Sequence, residues 1–223
     1  MPAFDPLRTL VRSALSNQKA RTPTDAETLR FAVLDMLTHD TGFGLMHYRR
    51  DNNGLPSAIK NILFDLFAIE FLFVPADDRI ERGLRWQYPG ICHVCTREVC
   101  TCSLVRMRGR PEPRGNTLLP ATMTPKTIRD WQVFFARLYP NEGMEKIEIV
   151  TRLASEAHEA CATALDQALL RHKNETAVEL AQVFAWVCAF ATHLEFSLEA
   201  CDSRATMASF LNWLKRLQTT SVS

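Results

Sequence analysis

Two segments of the chain are almost entirely apolar, and they constrain the fold more than any other feature. The first, 56–74, reads PSAIKNILFDLFAIEFLFV, and the second, 175–194, reads ETAVELAQVFAWVCAFATHL. Because a helix that is apolar on all sides cannot face water, both must be enclosed by other helices. No segment alternates apolar and polar residues as a strand does. Apolar stripes at helical spacing predict further helices at 5–18, 22–39 with a continuation to 54, 76–90, 124–141, 144–173 and 197–218. The sequence therefore predicts an all-α helix bundle.

The order and length of the predicted helices repeat once along the chain. LRFAVLDMLTHD lies opposite IEIVTRLASEAHE, and AIKNILFDLFAIEFL lies opposite ELAQVFAWVCAFATHL, at an offset of about 119 residues. Identity is low, and two successive helical hairpins without a common origin would also produce this pattern. We predict a helical unit over 1–104, an irregular linker rich in Arg, Pro and Gly over 105–123, and a second helical unit over 124–223.

Charge and hydropathy limit the classes of partner. The formal net charge is +1, which gives no overall attraction to nucleic acid or to an anionic membrane. The longest apolar run, 61–74, contains Asp65 and Glu70 and is too short to cross a hydrocarbon layer of about 30 Å as a helix. No signal-peptide pattern is visible at the N-terminus. We expect a cytoplasmic protein without a membrane partner. Asp65 and Glu70 are expected to be satisfied carboxylates, buried or at an interface, and not metal ligands.

Four of the seven cysteines are crowded into GICHVCTREVCTCS, residues 90–103. In a reducing compartment, such clustering favours metal binding or redox chemistry over disulfides. A C-x-x-C pair followed by C-x-C brings four thiolates within reach of one tetrahedral zinc ion, with His93 as an alternative ligand. The predicted ligands of this structural zinc are Cys92, Cys95, Cys100 and Cys102. The other cysteines are predicted to be core residues: Cys161, Cys188 and Cys201.

Two pairs of side chains with oxygen atoms that can bind a metal occur in the second unit, and three of the four are carboxylates. Glu156 and Glu159 stand three residues apart on one predicted helix, and Glu179 and Gln182 stand three apart on the next. Residues at i and i+3 are neighbours on a helix surface, so two such pairs on antiparallel helices can face each other. Glu156 and Glu179 fall at the edges of the apolar stripes, and Glu159 falls one step further out. Such a group of oxygens suits a hard cation such as Mg²⁺.

The segments LASEAHEA and ETAVELAQVFAWVCAFATHL resemble the MazG-like, all-α nucleoside triphosphate pyrophosphohydrolases over roughly residues 124–203. In that family, E-x-x-E and E-x-x-D half-motifs on adjacent helices bind Mg²⁺, and a nucleoside triphosphate is hydrolysed to a monophosphate and pyrophosphate. The resemblance implies that Glu156, Glu159 and Glu179 bind Mg²⁺ and that these residues and Gln182 form the catalytic set. It implies a homo-oligomer or an intramolecular pseudo-dimer. YPGICHVCTREVCTCS also resembles a cysteine knuckle found at the end of some MazG-like domains.

The chain departs from the family pattern at Gln182, which stands where the family has Asp. A glutamine oxygen can coordinate a metal but supplies no charge, so the site falls from four carboxylates to three and hydrolysis is expected to be weakened. No acidic cluster survives in the first unit, which is therefore predicted to be a non-catalytic copy. The corresponding positions hold Met36 or Leu37, His39 or Asp40, Lys60 and Leu63.

Three alternatives stay open at the level of sequence. The glutamates could form a solvated helix face without a metal. The chain could be a catalytically inactive nucleotide-binding or protein-interaction scaffold of the same fold. It could also be a zinc-knuckle adaptor that touches nucleic-acid phosphate through the basic linker, although the overall charge does not favour nucleic acid. The arginines of that linker are Arg106, Arg108, Arg110 and Arg114.

Overall fold

The computed structural model describes residues 4–21, 26–50, 55–75, 79–92, 97–99, 124–140, 144–170 and 175–200. This part of the chain is all-α, as the sequence predicts, and contains no strand. Its helices are α1 (Asp5–Arg21), α2 (Ala26–Arg50), α3 (Leu55–Phe73), α4 (Ile80–Gln87), α5 (Ile128–Leu138), α6 (Lys146–Leu170) and α7 (Thr176–His193), followed by a 3-10 turn (Leu198–Ala200). The predicted linker 105–123 and most of the predicted helix 197–218 lie outside the described residues.

The helix boundaries follow local signals in most places. Helix α5 begins at a capping box, in which the Thr127 hydroxyl accepts from the Asp130 backbone N–H and the Asp130 carboxylate accepts from the Thr127 N–H. Helix α2 continues through Gly42, where the sequence predicts only a weakened helix. Helix α4 is shorter than the predicted segment 76–90 and ends before Pro89, because proline cannot continue the hydrogen-bond ladder.

Two helical hairpins form the centre of the molecule. Helix α2 packs against α3, and α6 packs against α7. The hairpins then pack on each other through α2 against α6 and α3 against α7. The outer helices complete the bundle, with α1 on α3 and with α4 and α5 on α7. The strongly apolar helices α3 and α7 are thereby enclosed, as their composition requires.

A single hydrophobic core joins residues from both sides of the predicted linker. Phe184 on α7 lies at its centre. The Phe184 ring makes an edge-to-face contact with Phe4, at 5.0 Å between centroids, and another with Phe135 on α5 at 6.4 Å. Phe4 in turn contacts Phe67 on α3 at 5.2 Å. Aromatic contacts of this kind add to the stabilisation from burial, so the two segments of the chain stabilise each other.

A buried ion-pair network links α1 to α3 and α4. The Arg8 guanidinium is 7% exposed and donates through Nε and Nη2 to the two carboxylate oxygens of Glu70, each at 2.6 Å. It also donates to the Glu81 carboxylate on α4. Glu70 further accepts from the Ile80 backbone N–H at 2.8 Å. Since Arg79 provides no side-chain cap, Glu70 supplies the N-terminal cap of α4. The expectation that Glu70 has satisfied polar contacts is confirmed.

None of the described helices is both long enough and apolar enough to span a membrane. Helix α3, the most apolar of them, carries Asp65 near its middle and Glu70 in its last turn.

Candidate metal centre

The candidate metal centre is a cluster of three carboxylates on α6 and α7. Glu156 and Glu159 lie one turn apart on α6, and Glu179 lies in the first turn of α7. One carboxylate oxygen from each lies within 4.8 Å of the others. Among the residues that the structure describes, these form the only group of three or more His, Cys, Asp or Glu side chains gathered closely enough to hold a metal ion.

The burial of the three carboxylates matches the pattern expected from the sequence. Glu156 and Glu179 are half-buried, and Glu159 is exposed. The α6 stripe beside them is fully buried and consists mostly of alanine: Leu153, Ala157, Ala160 and Ala164. Small side chains at a helix contact allow a short distance between the helix axes. The cluster is therefore produced by close packing of α6 and α7.

The spacing of the carboxylates fits a hard divalent cation. An octahedral Mg²⁺ with bonds of about 2.1 Å places opposite ligand oxygens about 4.2 Å apart, and the longer bonds of Ca²⁺ place them about 5 Å apart. Three ligands cannot all be opposite one another, and neighbouring ligand oxygens of an octahedron lie only about 3 Å apart. From separations of up to 4.8 Å, shifts of about 1 Å would bring the three oxygens onto either ion. Three carboxylates in this space repel one another, and a divalent cation offsets that repulsion.

Gln182 is brought beside the cluster, but as a hydrogen-bond donor. Its Nε2 donates to Glu179 Oε2 at 3.0 Å, and the residue is 5% exposed. Because the partner is a carboxylate, the amide has to present its nitrogen and not its oxygen. Gln182 thus orients Glu179 in this arrangement and does not offer a fourth ligand oxygen. The i, i+3 spacing predicts that the two residues meet, whereas the direction of the hydrogen bond becomes visible only in the structure.

Helix α4 fixes the start of α7 through a close approach at Gly83. A Cβ atom placed on Gly83 would lie 2.4 Å from the carbonyl oxygen of Ala177 and 3.2 Å from the Ala181 Cβ. Ala177 and Ala181 flank Glu179 by two residues on either side, so this contact positions the part of α7 that carries the carboxylate. In the sequence, this close approach is indicated only by the presence of a glycine inside a short amphipathic helix.

We expect Gly83→Ala to destabilise the protein by about 1–2 kcal/mol, because overpacking against a backbone carbonyl outweighs the gain of about 1 kcal/mol in helix propensity. Gly42→Ala on α2 is the matched control. A Cβ there meets nothing within 4 Å, so the same change should be stabilising by about 0.5–1 kcal/mol. Urea unfolding of both variants checks the prediction, which a stabilised Gly83→Ala would contradict.

Only one of the four predicted zinc ligands lies among the described residues. Cys92 is buried, and its backbone N–H donates to the carbonyl oxygen of Arg97 at 2.8 Å. Cys92 and Arg97 therefore lie next to each other. Cys95, Cys100 and Cys102 lie outside the described residues, so the zinc site stays a prediction.

The prediction that Cys161 and Cys188 are core thiols is confirmed, since both are buried and not in disulfides. Burial raises the pKa of Cys161 to about 11 and raises the pKa of Cys188 well above its usual value. Both are therefore neutral thiols at physiological pH and poor nucleophiles. Cys201 lies outside the described residues.

Searches for similar proteins add no relative to these observations. No protein-family model, curated protein or solved structure matches the chain. The grounds for a function are therefore the geometry of the carboxylate cluster and the sequence pattern of the two helices that carry it.

Proposed function

We propose that the protein is a Mg²⁺-dependent nucleoside triphosphate pyrophosphohydrolase of MazG type, weakened by Gln182. The observation that carries the proposal is the meeting of Glu156, Glu159 and Glu179 within 4.8 Å. Glu179 lies on a different helix from Glu156 and Glu159, so packing of α6 on α7 is needed to assemble the three. Glu156 and Glu159 match the first half-motif of the family, and Glu179 matches the first position of the second.

The proposal assigns a role to each member of the cluster. Glu156, Glu159 and Glu179 would hold Mg²⁺, and the bound ion would supply charge stabilisation for a triphosphate and activate water. The exposed Glu159 lies where a substrate can approach from solvent. Glu156 and Glu179 are half-buried, so their positions are restrained by the packing of α6 and α7. Gln182 restrains the Glu179 carboxylate through its hydrogen bond.

The remaining architecture supports a duplicated fold with one active half. Helices α2 and α6 are both 25 residues long, and α3 and α7 are 19 and 18 residues long. In the proposal, the α2–α3 hairpin acts as an internal partner for the α6–α7 hairpin, forming an intramolecular pseudo-dimer. The first hairpin would then be scaffold, because it carries no group of three ligand side chains among its described residues.

A catalytically inactive nucleotide-binding or scaffold protein of the same fold is the second candidate. The observation in its favour is the hydrogen bond from Gln182 to Glu179. Gln182 is neutral and acts as a donor to one of the metal-binding carboxylates, so it does not supply a fourth negative charge. Such a cluster would bind Mg²⁺ and phosphate more weakly than a four-carboxylate site. Stoichiometric zinc without Mg²⁺ binding would favour this candidate, in which the cysteine knuckle is structural.

The proposal is tested by pyrophosphate release from a panel of ordinary and modified nucleoside triphosphates, with and without Mg²⁺. We expect Gln182→Asp to raise Mg²⁺-dependent turnover by about tenfold, since it restores the fourth carboxylate beside Glu179. Gln182→Asn is the matched control, because it shortens the side chain equally without adding charge.

The pattern of results separates the two candidates. Activity in the wild type that increases in Gln182→Asp supports a weakened hydrolase. Activity gained only in Gln182→Asp identifies a site disabled by one residue and supports the inactive candidate for the natural chain. Absence of turnover in every version, with Mg²⁺ present, would contradict the hydrolase proposal for the substrates in the panel.

A further inference from the structure

Asp65 is a buried carboxyl group without a conventional partner. It lies in the middle of α3 and is 0% exposed, and neither of its side-chain oxygens receives a hydrogen bond from an N–H or hydroxyl donor. The group within hydrogen-bonding reach is the carboxyl of Asp40 on α2, itself 9% exposed. The expectation that Asp65 is a satisfied carboxylate is therefore not met by any N–H or hydroxyl among the described residues, because its neighbour is another acid.

In the part of the chain that the structure describes, no Lys or Arg compensates the charge of this pair. Neither Asp40 nor Asp65 forms an ion pair with Lys or Arg among the described residues. On α2, the exposed His39 places Nδ1 3.2 Å from Asp40 Oδ1. From α6, the Cys161 thiol approaches and donates to the carbonyl oxygen of Leu34 at 3.5 Å. Burial is the main cause that raises the pKa of that thiol to about 11, and the nearby Asp65 and Asp35 add to it.

Two ionised carboxylates in this position would be strongly unfavourable. Each would lose its hydration on burial, and the two like charges would repel at short range. A divalent cation would relieve the repulsion, but such ions take about six oxygen ligands or complete the set with water. Among the described residues, no third ligand side chain gathers with Asp40 and Asp65 closely enough to hold a metal. A single proton between the two carboxyls satisfies both groups.

We propose that Asp40 and Asp65 share one proton at neutral pH, with Asp65 as the protonated donor and Asp40 as the acceptor, and that this bond makes the contact of α2, α3 and α6 pH-sensitive. Burial is the main cause that raises the pKa of Asp65 well above its usual value, and the neighbouring Asp40 adds to it. This inference is independent of the proposed hydrolase function.

The Asp40–Asp65 pair lies near Cys161 on α6, the helix that carries two of the three carboxylates of the cluster. Cys161, which contacts α2 through Leu34 and Thr38, follows Glu159 by two residues on α6. Loss of the proton would place two charges inside the contact of α2 with α3, next to Cys161. We therefore expect the packing of α6 on α2 to loosen when the pair ionises.

The pH dependence of stability has a definite sign. In the unfolded chain Asp65 ionises near pH 4, whereas the folded chain retains the proton to a higher pH. The folded state thus binds more protons in this window, and stability falls as pH rises from about 4 to the folded-state pKa. This is opposite to the behaviour of a carboxylate that is stabilised by a salt bridge.

The test is urea unfolding of the full chain between pH 5 and 9, for the wild type and Asp65→Asn. Relative to Asp65→Asn, the wild-type folding equilibrium constant should fall by up to about tenfold per pH unit below the folded-state pKa. The asparagine amide can donate to Asp40 at every pH, so the variant lacks the proton-dependent step. Asp35→Asn, an exposed change on α2, is the control and should run parallel to the wild type. Parallel curves for the wild type and Asp65→Asn would overturn the proposal.

A direct measurement covers the case in which Asp65→Asn does not fold. Carboxyl carbon NMR of the wild-type chain at pH 7, in the presence of a chelator, should show one protonated aspartate. Asp40→Asn removes the acceptor and identifies the pair by shifting that signal. An Asp65 signal typical of an ionised carboxylate at pH 7 would overturn the proposal, whatever the variants do.

Discussion

Replacing Glu156 with Gln is expected to lower Mg²⁺-dependent pyrophosphate release by about 100-fold or more. The change keeps the size of the side chain and removes one of the three charges that meet within 4.8 Å. A metal ion that polarises a phosphoryl oxygen stabilises the transition state by roughly several kcal/mol. A loss of about 3 kcal/mol corresponds to about a 100-fold lower rate. The measurement is steady-state turnover with the best substrate of the panel over a series of Mg²⁺ concentrations.

Glu148→Gln provides the matched control for this variant. Glu148 lies in the first turn of α6, about two helical turns before Glu156. The substitution therefore removes the same charge from the same helix at a distance from the cluster. It should retain wild-type turnover within about twofold. Mg²⁺ should also raise the melting temperature of the wild type and of Glu148→Gln, because a ligand that binds the folded state stabilises it. If Glu156→Gln kept both the turnover and the Mg²⁺-induced shift, the assignment of Glu156 as a ligand would be wrong.

The cluster illustrates what helical periodicity can predict. Two i, i+3 pairs at the edges of adjacent apolar stripes have to approach each other once the stripes pack, so the meeting of Glu156 and Glu159 with Glu179 was accessible from sequence. The direction of the Gln182 hydrogen bond was not, because an amide can present either its oxygen or its nitrogen. The choice depends on the three-dimensional position of the Glu179 carboxylate.

Contacts between distant segments account for the rest of what sequence reasoning missed. The apolar composition of α3 predicts burial of the whole helix, but it does not reveal which groups its two acids meet. Glu70 contacts Arg8, which lies 62 residues earlier, and Asp65 meets the acid on α2. The two environments have opposite electrostatic character although both acids lie on one apolar helix. Only the packing of α1 and α2 against α3 distinguishes them.

Replacing Arg8 with Ala is expected to destabilise the protein by about 3–5 kcal/mol. Glu70 is 5% exposed, and removing its cation leaves a buried charge without compensation. Glu70 also accepts from the Ile80 N–H and so caps α4, and the loss should therefore extend to the contact between α4 and α7. Urea unfolding at neutral pH measures the effect. Arg12→Ala, an exposed change one turn further along α1, should cost less than about 0.5 kcal/mol.

A second substitution separates loss of charge compensation from loss of packing. In Arg8→Met combined with Glu70→Gln, the buried charge is removed and the Gln oxygen can still accept from the Ile80 N–H. Replacing a buried ion pair by neutral groups of similar volume is often nearly neutral, so the double variant should recover most of the stability that Arg8→Ala loses. A double variant as unstable as Arg8→Ala would show that Arg8 acts chiefly through its contacts with Glu81 and the Phe4 and Phe67 rings. Recovery would instead identify the Glu70 charge as the reason that this arginine is needed inside the bundle.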